Sequence, residues 1–565
     1  MSLAEGQACP RPLGSDTLRG RGGVPLHRAT DVDLNYVLLW FVGAACLLMC
    51  YRALCARRNG WVVAALGAAA ATGVSFALWP DCGGYVGGGA LAVLVVIPLF
   101  GYRFLVRLVL QQRYGAAWRL ASALRWLHPA DGWRELPQIL RALASGEPAT
   151  IAEMATRLGR SRASRTGIGR LGAVLLYRVN NQWAELRGWI ETSLTPDELR
   201  HDANLIALYL RSFGELGDPN GLLAAHARLG DALESEGLAL YRATCRLVAL
   251  AFCGRKEAIA RLFRGPLGLY PEPVQRFWLA TADMALGNAD AAREALRDIL
   301  PGSEPLTAAG IERRLAFPLP VAEAALTAES REILSRVEGG LDQEERYGER
   351  TSAVGRRAYA TLALIALNLL MFAVELASGG STDVEALLGL GALNPAAVLA
   401  GEWWRVAAAL FLHFGPLHLA LNMLGLLLLG PFLESAVGWG RYLVAYLAAG
   451  MGSMLLIVGL AKGGVLQDQI VVGASGSIMG IVGGTVAVFL RGWAMERARI
   501  AARRLVALVF VIAFQVVFDL ATPQVSFTAH LGGALIGFAA VSLMRHRVSL
   551  APRRGGDAAA QGDAP

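Results

Sequence analysis

Hydrophobic and polar positions divide the chain into two apolar regions with a long polar stretch between them. Three apolar runs come first, at 36–53, 61–79 and 85–105. Each is close to the about 20 residues that an α-helix needs to cross hydrocarbon. From 106 to 354, Leu and Ala recur at helical spacing among Arg and Glu, which predicts a soluble α-helical domain. Six further apolar segments close the chain, at 358–377, 411–430, 442–460, 475–490, 505–520 and 527–544. The expected class is all-α: a polytopic membrane protein with three N-terminal spans (35–105), the soluble domain (106–354) and a six-helix membrane domain (355–548). Residues 1–34 and 549–565 carry no apolar period and are expected to be disordered. The run from Tyr36 lacks a small-residue cleavage site and reads as a span rather than a signal peptide.

A weak repeat runs through the polar region. Leu216-Gly217-Asp218, Cys253-Gly254-Arg255 and Leu286-Gly287-Asn288 each end one Ala/Leu-rich helix and begin another, with Gly-to-Gly separations of 37 and 33 residues. Such a period suits paired helices that stack on one another. The last pair, from Trp278 to Pro301, looks like a tetratricopeptide repeat; an irregular helical bundle is the alternative. Either arrangement offers a surface for a cytoplasmic protein partner. No catalytic cluster is visible in it, and His128, His201 and His226 stand alone.

Composition narrows the class. Charged residues make up 17% of the chain and mean hydropathy is +0.43, with the charges gathered between the apolar regions. The net charge of +8 does not point to nucleic acid, because many arginines flank apolar runs. Arg52, Arg57 and Arg58 separate the first two runs, whereas no basic residue separates the second from the third. The positive-inside rule then puts the N-terminus outside and the soluble domain in the cytoplasm, with Arg19, Arg21 and Arg28 running against that order. In the last region, Arg356-Arg357, Arg441, five arginines from Arg491 to Arg504, and Arg545, Arg547, Arg553 and Arg554 fall on one side. The alternate connections hold only Arg405 and Lys462. A multi-pass protein of the bacterial inner (plasma) membrane is expected. The seven cysteines have no metal-ligand spacing, and none lies beyond Cys253.

Candidate chemistry sits in the last region. Gly473-Ala474-Ser475-Gly476 puts a hydroxyl at the head of an apolar segment, and His530 and the pair His418/Asn422 stand in two others. The alternation of sides makes these three segments begin near the outer face, so the four residues can share one depth. Ser475 is the candidate nucleophile and His530 its general base, since a serine hydroxyl needs a neighbouring imidazole to accept its proton. Two Gly-x-x-x-Gly seams, Gly476/Gly480 and Gly533/Gly537, would let the two helices approach closely. His418 and Asn422, four residues apart on one helix face, are candidate oxyanion donors together with the Ser475 amide. Small residues and polar pairs also serve merely to pack membrane helices, but ionisable groups within spans tend to mark function. No His-Glu-x-x-His motif is present to suggest a metalloprotease. A transporter would not require a Ser, two His and an Asn at one depth.

These motifs resemble the rhomboid intramembrane serine proteases, over residues of about 355–548. The resemblance rests on Gly473-Ala474-Ser475-Gly476, on Ala529-His530-Leu531-Gly532-Gly533 with Gly537, and on His413 through His418 to Asn422. Trp404-Arg405 and Glu434 match further family positions. The resemblance implies a Ser475/His530 dyad without a third acid, an oxyanion hole at His418 and Asn422 supported by His413, and structural roles for Arg405 and Glu434. It also implies cleavage of transmembrane-helix substrates in the bilayer with no cofactor and no metal, the rival being an inactive relative that binds membrane clients. Met479 departs from members with an aromatic ring under the histidine, which loosens the expected hold on the imidazole.

Overall fold

A computed structural model describes residues 34–55, 59–127, 133–160, 167–233, 239–347, 358–467, 469–521 and 526–544. The expected disordered tails, His128 and the arginines at 57, 58, 356, 357 and beyond 544 lie outside them. The described residues are helical, without strands; one antiparallel bridge pairs Leu393 with Val471. Among them, 8 helices are long and apolar enough to cross a membrane. The chain is an integral, multi-pass membrane protein of the all-α class.

The N-terminal bundle holds α1 (Leu34–Cys55), α2 (Asn59–Leu78) and a third span made of α3 (Gly83–Leu91), a π-helical turn (Ala92–Val96) and α4 (Ile97–Leu110). The π turn ends two residues before Pro98, which has no N–H to offer the preceding turn. Asn35 ties the bundle at one end, accepting from the Gly84 amide at 2.6 Å and donating to the Pro80 carbonyl at 2.9 Å. The third span extends over Pro80–Leu110, longer than the expected 85–105, because α4 continues into the polar region.

Helices α5 to α10 occupy Tyr114–Leu124, Leu136–Ser145, Pro148–Gly159, Gly167–Val179, Trp183–Ser193 and Pro196–Arg200. Helices α11 to α16 occupy Ala203–Glu215, Pro219–Leu233, Ala239–Phe252, Lys256–Arg264, Glu272–Ala285 and Ala289–Ile299; α17 to α19 follow at Pro305–Ala316, Ala322–Ala325 and Ala328–Tyr347. Successive helix pairs turn on a residue of positive φ: Gln112, Gly146, Asn181, Gly217, Gly254 and Gly287, at separations of 34, 35, 36, 37 and 33 residues. Five of the turns close alike, by an amide bonded to the carbonyl five residues back: Arg113 to Leu108, Gln182 to Tyr177, Asp218 to Phe213, Arg255 to Leu250 and Asn288 to Asp283. Glycine occupies the turns at Gly146, Gly217, Gly254 and Gly287, whereas Gln112 and Asn181 adopt the left-handed conformation with a side chain attached and so interrupt the pattern in the sequence. A buried cluster from Val174 to Leu341 joins the later pairs. Within it the Glu215 carboxylate accepts from Arg211 at 2.9 Å and Arg314 at 3.0 Å.

The C-terminal membrane region holds α20 (Tyr359–Ala377), three short helices α21 (Val384–Leu390), α22 (Pro395–Leu399) and α23 (Arg405–Ala408), then α24 (Gly415–Val437), α25 (Trp439–Lys462), α26 (Ser475–Glu496), α27 (Arg499–Ala521) and α28 (Phe527–Leu543). Helix α24 begins later than the expected residue 411 because Pro416 starts it, and it runs past Pro431 to Val437. Helix α26 is the hub: 67% of its apolar window is buried, against 6% for α27 at the periphery. Added Cβ atoms on Gly533 and Gly537 would overlap the carbonyl oxygens of Gly476 and Gly480, so α26 and α28 meet backbone to backbone.

The soluble domain joins this region at the end of α26 remote from Ser475. Glu496 accepts from the Tyr347 hydroxyl and from Arg346, both at 3.0 Å, and Arg499 pairs with Asp231. On the other flank, α1 lies along α27. Trp40 meets Phe514 and Phe518 edge to face, and the Tyr36 hydroxyl donates to the Ala521 carbonyl at 3.2 Å.

Candidate active site

Ser475 opens α26, and the two residues before it set its position. Gly473 has φ +127°, a conformation that favours glycine, and its amide donates to the Ala409 carbonyl at 2.9 Å. A Cβ on Gly473 would lie 2.8 Å from Cε1 and 2.9 Å from Nε2 of His418, and 3.9 Å from Nδ2 of Asn422. The two polar side chains of α24 therefore come against the backbone that leads into Ser475, and only a glycine leaves room for them.

Hydrogen bonds indicate which way these groups are prepared to act. The Phe414 amide donates to Nδ1 of His418 at 3.3 Å, so the neutral ring carries its proton on Nε2, the atom facing Gly473. Asn422 donates one N–H to the His418 carbonyl at 3.0 Å and keeps a second donor. His413 is fully buried in the loop before α24, with its amide held by Glu375 at 2.8 Å and its ring edge-on to His418 at 5.3 Å.

His530 lies in the first turn of α28, capped by the Ser526 hydroxyl, which accepts from the Ala529 amide at 3.3 Å. The Ala529 carbonyl is 3.5 Å from where a Cβ on Gly476 would stand, so the first turns of α26 and α28 adjoin. Among the described residues no hydrogen bond joins the Ser475 hydroxyl to His530. The bond that the ring does make was not anticipated: Nδ1 lies 2.7 Å from Oδ2 of Asp519, in the last turn of α27. Gln515, one turn earlier, donates to the other carboxylate oxygen at 2.7 Å. The His530 ring therefore has a carboxylate neighbour that the expected Ser475/His530 dyad without a third acid did not include. The signal available in the sequence was a lone carboxylate inside an apolar span, 11 residues before His530.

The remaining predicted residues brace the frame rather than touch the site. Glu434 accepts from the amides of Ala360 and Thr361 and from the Thr361 hydroxyl, at 2.9, 2.8 and 2.7 Å, and so caps α20. Arg405 donates to the carbonyls of Leu388 and Ala392, at 2.7 and 3.1 Å, and to Glu402 at 2.6 Å. Its guanidinium lies 4.9 Å from the Trp404 ring centre, and that ring fills the space a Cβ on Gly391 would take. Gly476, Gly533 and Gly537 form the α26/α28 seam.

Closely packed spans carrying serine and histidine in their first turns, asparagine beside them and a histidine-bound carboxylate in the last turn of α27 define a membrane protein with a polar site set into its apolar core. The Rhomboid domain family profile matches residues 400–547. The chain is 33% identical over 202 residues to Rhomboid protease GluP of Bacillus subtilis (strain 168), covering 36% of this chain and 38% of that protein. It is 36% identical over 150 residues to RHOMBOID-like protein 6, mitochondrial, of Arabidopsis thaliana, covering 26% of this chain and 46% of the relative. It is 31% identical over 153 residues to Putative rhomboid protease YdcA of Bacillus subtilis (strain 168), covering 26% of this chain and 72% of that relative. The chain belongs to the rhomboid family. It spans less than half the length of the first two relatives, and the likeness to all three covers only a minor part of this chain.

Proposed function

We propose that the protein is an intramembrane serine endopeptidase that cleaves transmembrane-helix substrates near the outer membrane face. Ser475 is the nucleophile. Its proton passes to Nε2 of His530 as Oγ bonds to the scissile carbonyl carbon, and the carbonyl π electrons move onto oxygen. The Nε2–H of His418, the second N–H of Asn422 and the Ser475 amide receive that oxyanion, with His413 packed behind His418. The imidazolium then gives its proton to the leaving nitrogen as the C–N bond breaks, and water, activated by the same ring, releases the acyl group. One observation carries the reading: the packing of His418 and Asn422 against Gly473, two residues before Ser475.

The orientation follows from charge. The soluble domain meets the arginine-rich connection between α26 and α27, at the opposite end of α26 from Ser475. Positive-inside bias puts that end, and the domain with it, in the cytoplasm, where its paired helices offer a surface to a protein partner. The lack of a bond between Ser475 and His530 favours the rival reading, a scaffold that binds membrane clients without cutting them. Catalytic hydrogen bonds are often long in free enzymes and tighten when substrate binds, so that lack does not decide against catalysis. Cleavage of a transmembrane substrate in proteoliposomes, measured for the parent and for Ser475→Ala, separates the two. The expected result is loss of all detectable cleavage, and of fluorophosphonate labelling, in the variant. A Ser475→Ala protein that cuts as fast as its parent overturns the assignment.

A further inference from the structure

We infer that Asp519 is the positioning acid of this site, making Ser475, His530 and Asp519 a three-residue relay. The inference rests on the proteolytic reading above. Its basis is the 2.7 Å bond from His530 Nδ1 to a carboxylate that is itself buried. An ionised carboxylate only accepts, so the ring must donate from Nδ1, which leaves Nε2 bare. Bare Nε2 is the form able to take the Ser475 proton. When it does, the ring becomes a cation whose Nδ1–H already points at a negative charge, and the proton stays on the ring while the carboxylate stabilises it.

The surroundings fit this role better than that of a structural tie. Asp519 and Ala501 are the buried residues of α27, a helix at the periphery of the bundle whose apolar window is only 6% buried. Burying a carboxylate is expensive unless its oxygens are satisfied. Here one oxygen takes the Gln515 amide and the other takes the imidazole. The imidazole is thus held in orientation from α27.

The test compares Asp519→Asn, Asp519→Ala and Asp519→Glu with the parent and Ser475→Ala, in proteoliposomes, with kcat and KM measured separately and thermal midpoints recorded. Asn keeps the size of Asp but can donate to Nδ1, which drives the ring proton to Nε2 and blocks acceptance from Ser475. A relay predicts that the Asn and Ala variants both lose about 10²–10⁴-fold in kcat with KM little changed, while Glu recovers much of the rate. A purely structural role predicts instead that the near-isosteric Asn is the mildest change. Asp519→Asn cutting within about threefold of the parent, well below the typical cost of losing such an acid, overturns the inference. Should Asn prevent folding, Asp519→Glu against Asp519→Gln decides, since the two match in size and only one is a carboxylate; equal rates sink the relay. A parent that does not cleave sinks both readings, whereas an inactive Ser475→Ala beside a fully active Asp519→Asn sinks only this one.

Discussion

Gly473 shows how much can depend on one missing side chain. Its positive φ and the closeness of the His418 ring are separate demands, and alanine meets neither. Holding a non-glycine residue in such a conformation costs about 1–3 kcal/mol. The added methyl would also push the ring, and a misplacement of about 1 Å at a reacting centre costs on the order of 10²-fold. Gly473→Ala is therefore expected to lower both the thermal midpoint and, by about 10²-fold, the cleavage rate, with slower fluorophosphonate labelling of Ser475 as the direct readout. These residues were legible in the sequence because serine, histidine, asparagine and glycine are conspicuous in apolar segments. Their bonding was not: which nitrogen of His418 carries the proton depends on the Phe414 amide, and the partner of His530 depends on where α27 ends.

At the scale of elements, the site depends on α26 and α28 touching along glycines. A side chain on Gly537 would meet the backbone of Gly480, which cannot yield as a side chain could. Gly537→Val is expected to destabilise the membrane region by about 1–3 kcal/mol or more and to separate the heads of the two helices. Gly459 on α25, with nothing within 4 Å of its would-be Cβ, is the matched control. Gly459→Ala should be neutral, or stabilising by up to about 1 kcal/mol, through the lower entropy of the unfolded chain. Thermal unfolding in one detergent, followed by helical circular dichroism, checks both. Helix α27 is held otherwise: it is sparsely buried, clasped from outside by Trp40 and Tyr36 of α1, and tied inward through Asp519. The N-terminal bundle thus bears on the helix that carries the acid partner of His530, a connection invisible in the linear order of the chain.

Across the whole molecule, the soluble domain contains its own electrostatic lock. Burial alone would raise the Glu215 carboxyl above its usual range, but Arg314, Arg211 and Arg313 outweigh it and hold the group below. A carboxylate whose folded value is depressed stabilises the fold above its unfolded value of about 4.3, and loses that contribution as pH falls through the folded one. The soluble domain should therefore be near full stability above about pH 5 and weaken progressively below about 4.3. Glu215→Gln removes this acid dependence and leaves buried guanidinium groups uncompensated, at a cost of about 3–5 kcal/mol. Urea unfolding of the full chain at several pH values, read by tryptophan fluorescence, is the measurement. A Gln variant with unchanged stability and an unchanged acid limb would contradict it.

The sequence by itself determined the all-α membrane class, the approximate spans and the candidate polar residues, because apolar length, basic flanks and polar groups within apolar runs are local signals. It gave only part of the helix-pair period, since Gln112 and Asn181 turn the chain as the glycines do without resembling them. The tertiary structure alone decided that Glu434 caps α20, that α1 lies on α27, and that Asp519 reaches His530. The physical reason is that such contacts depend on the rotation and spacing of whole helices against one another. Periodicity says that a helix exists and leaves open which neighbour each of its polar groups will meet.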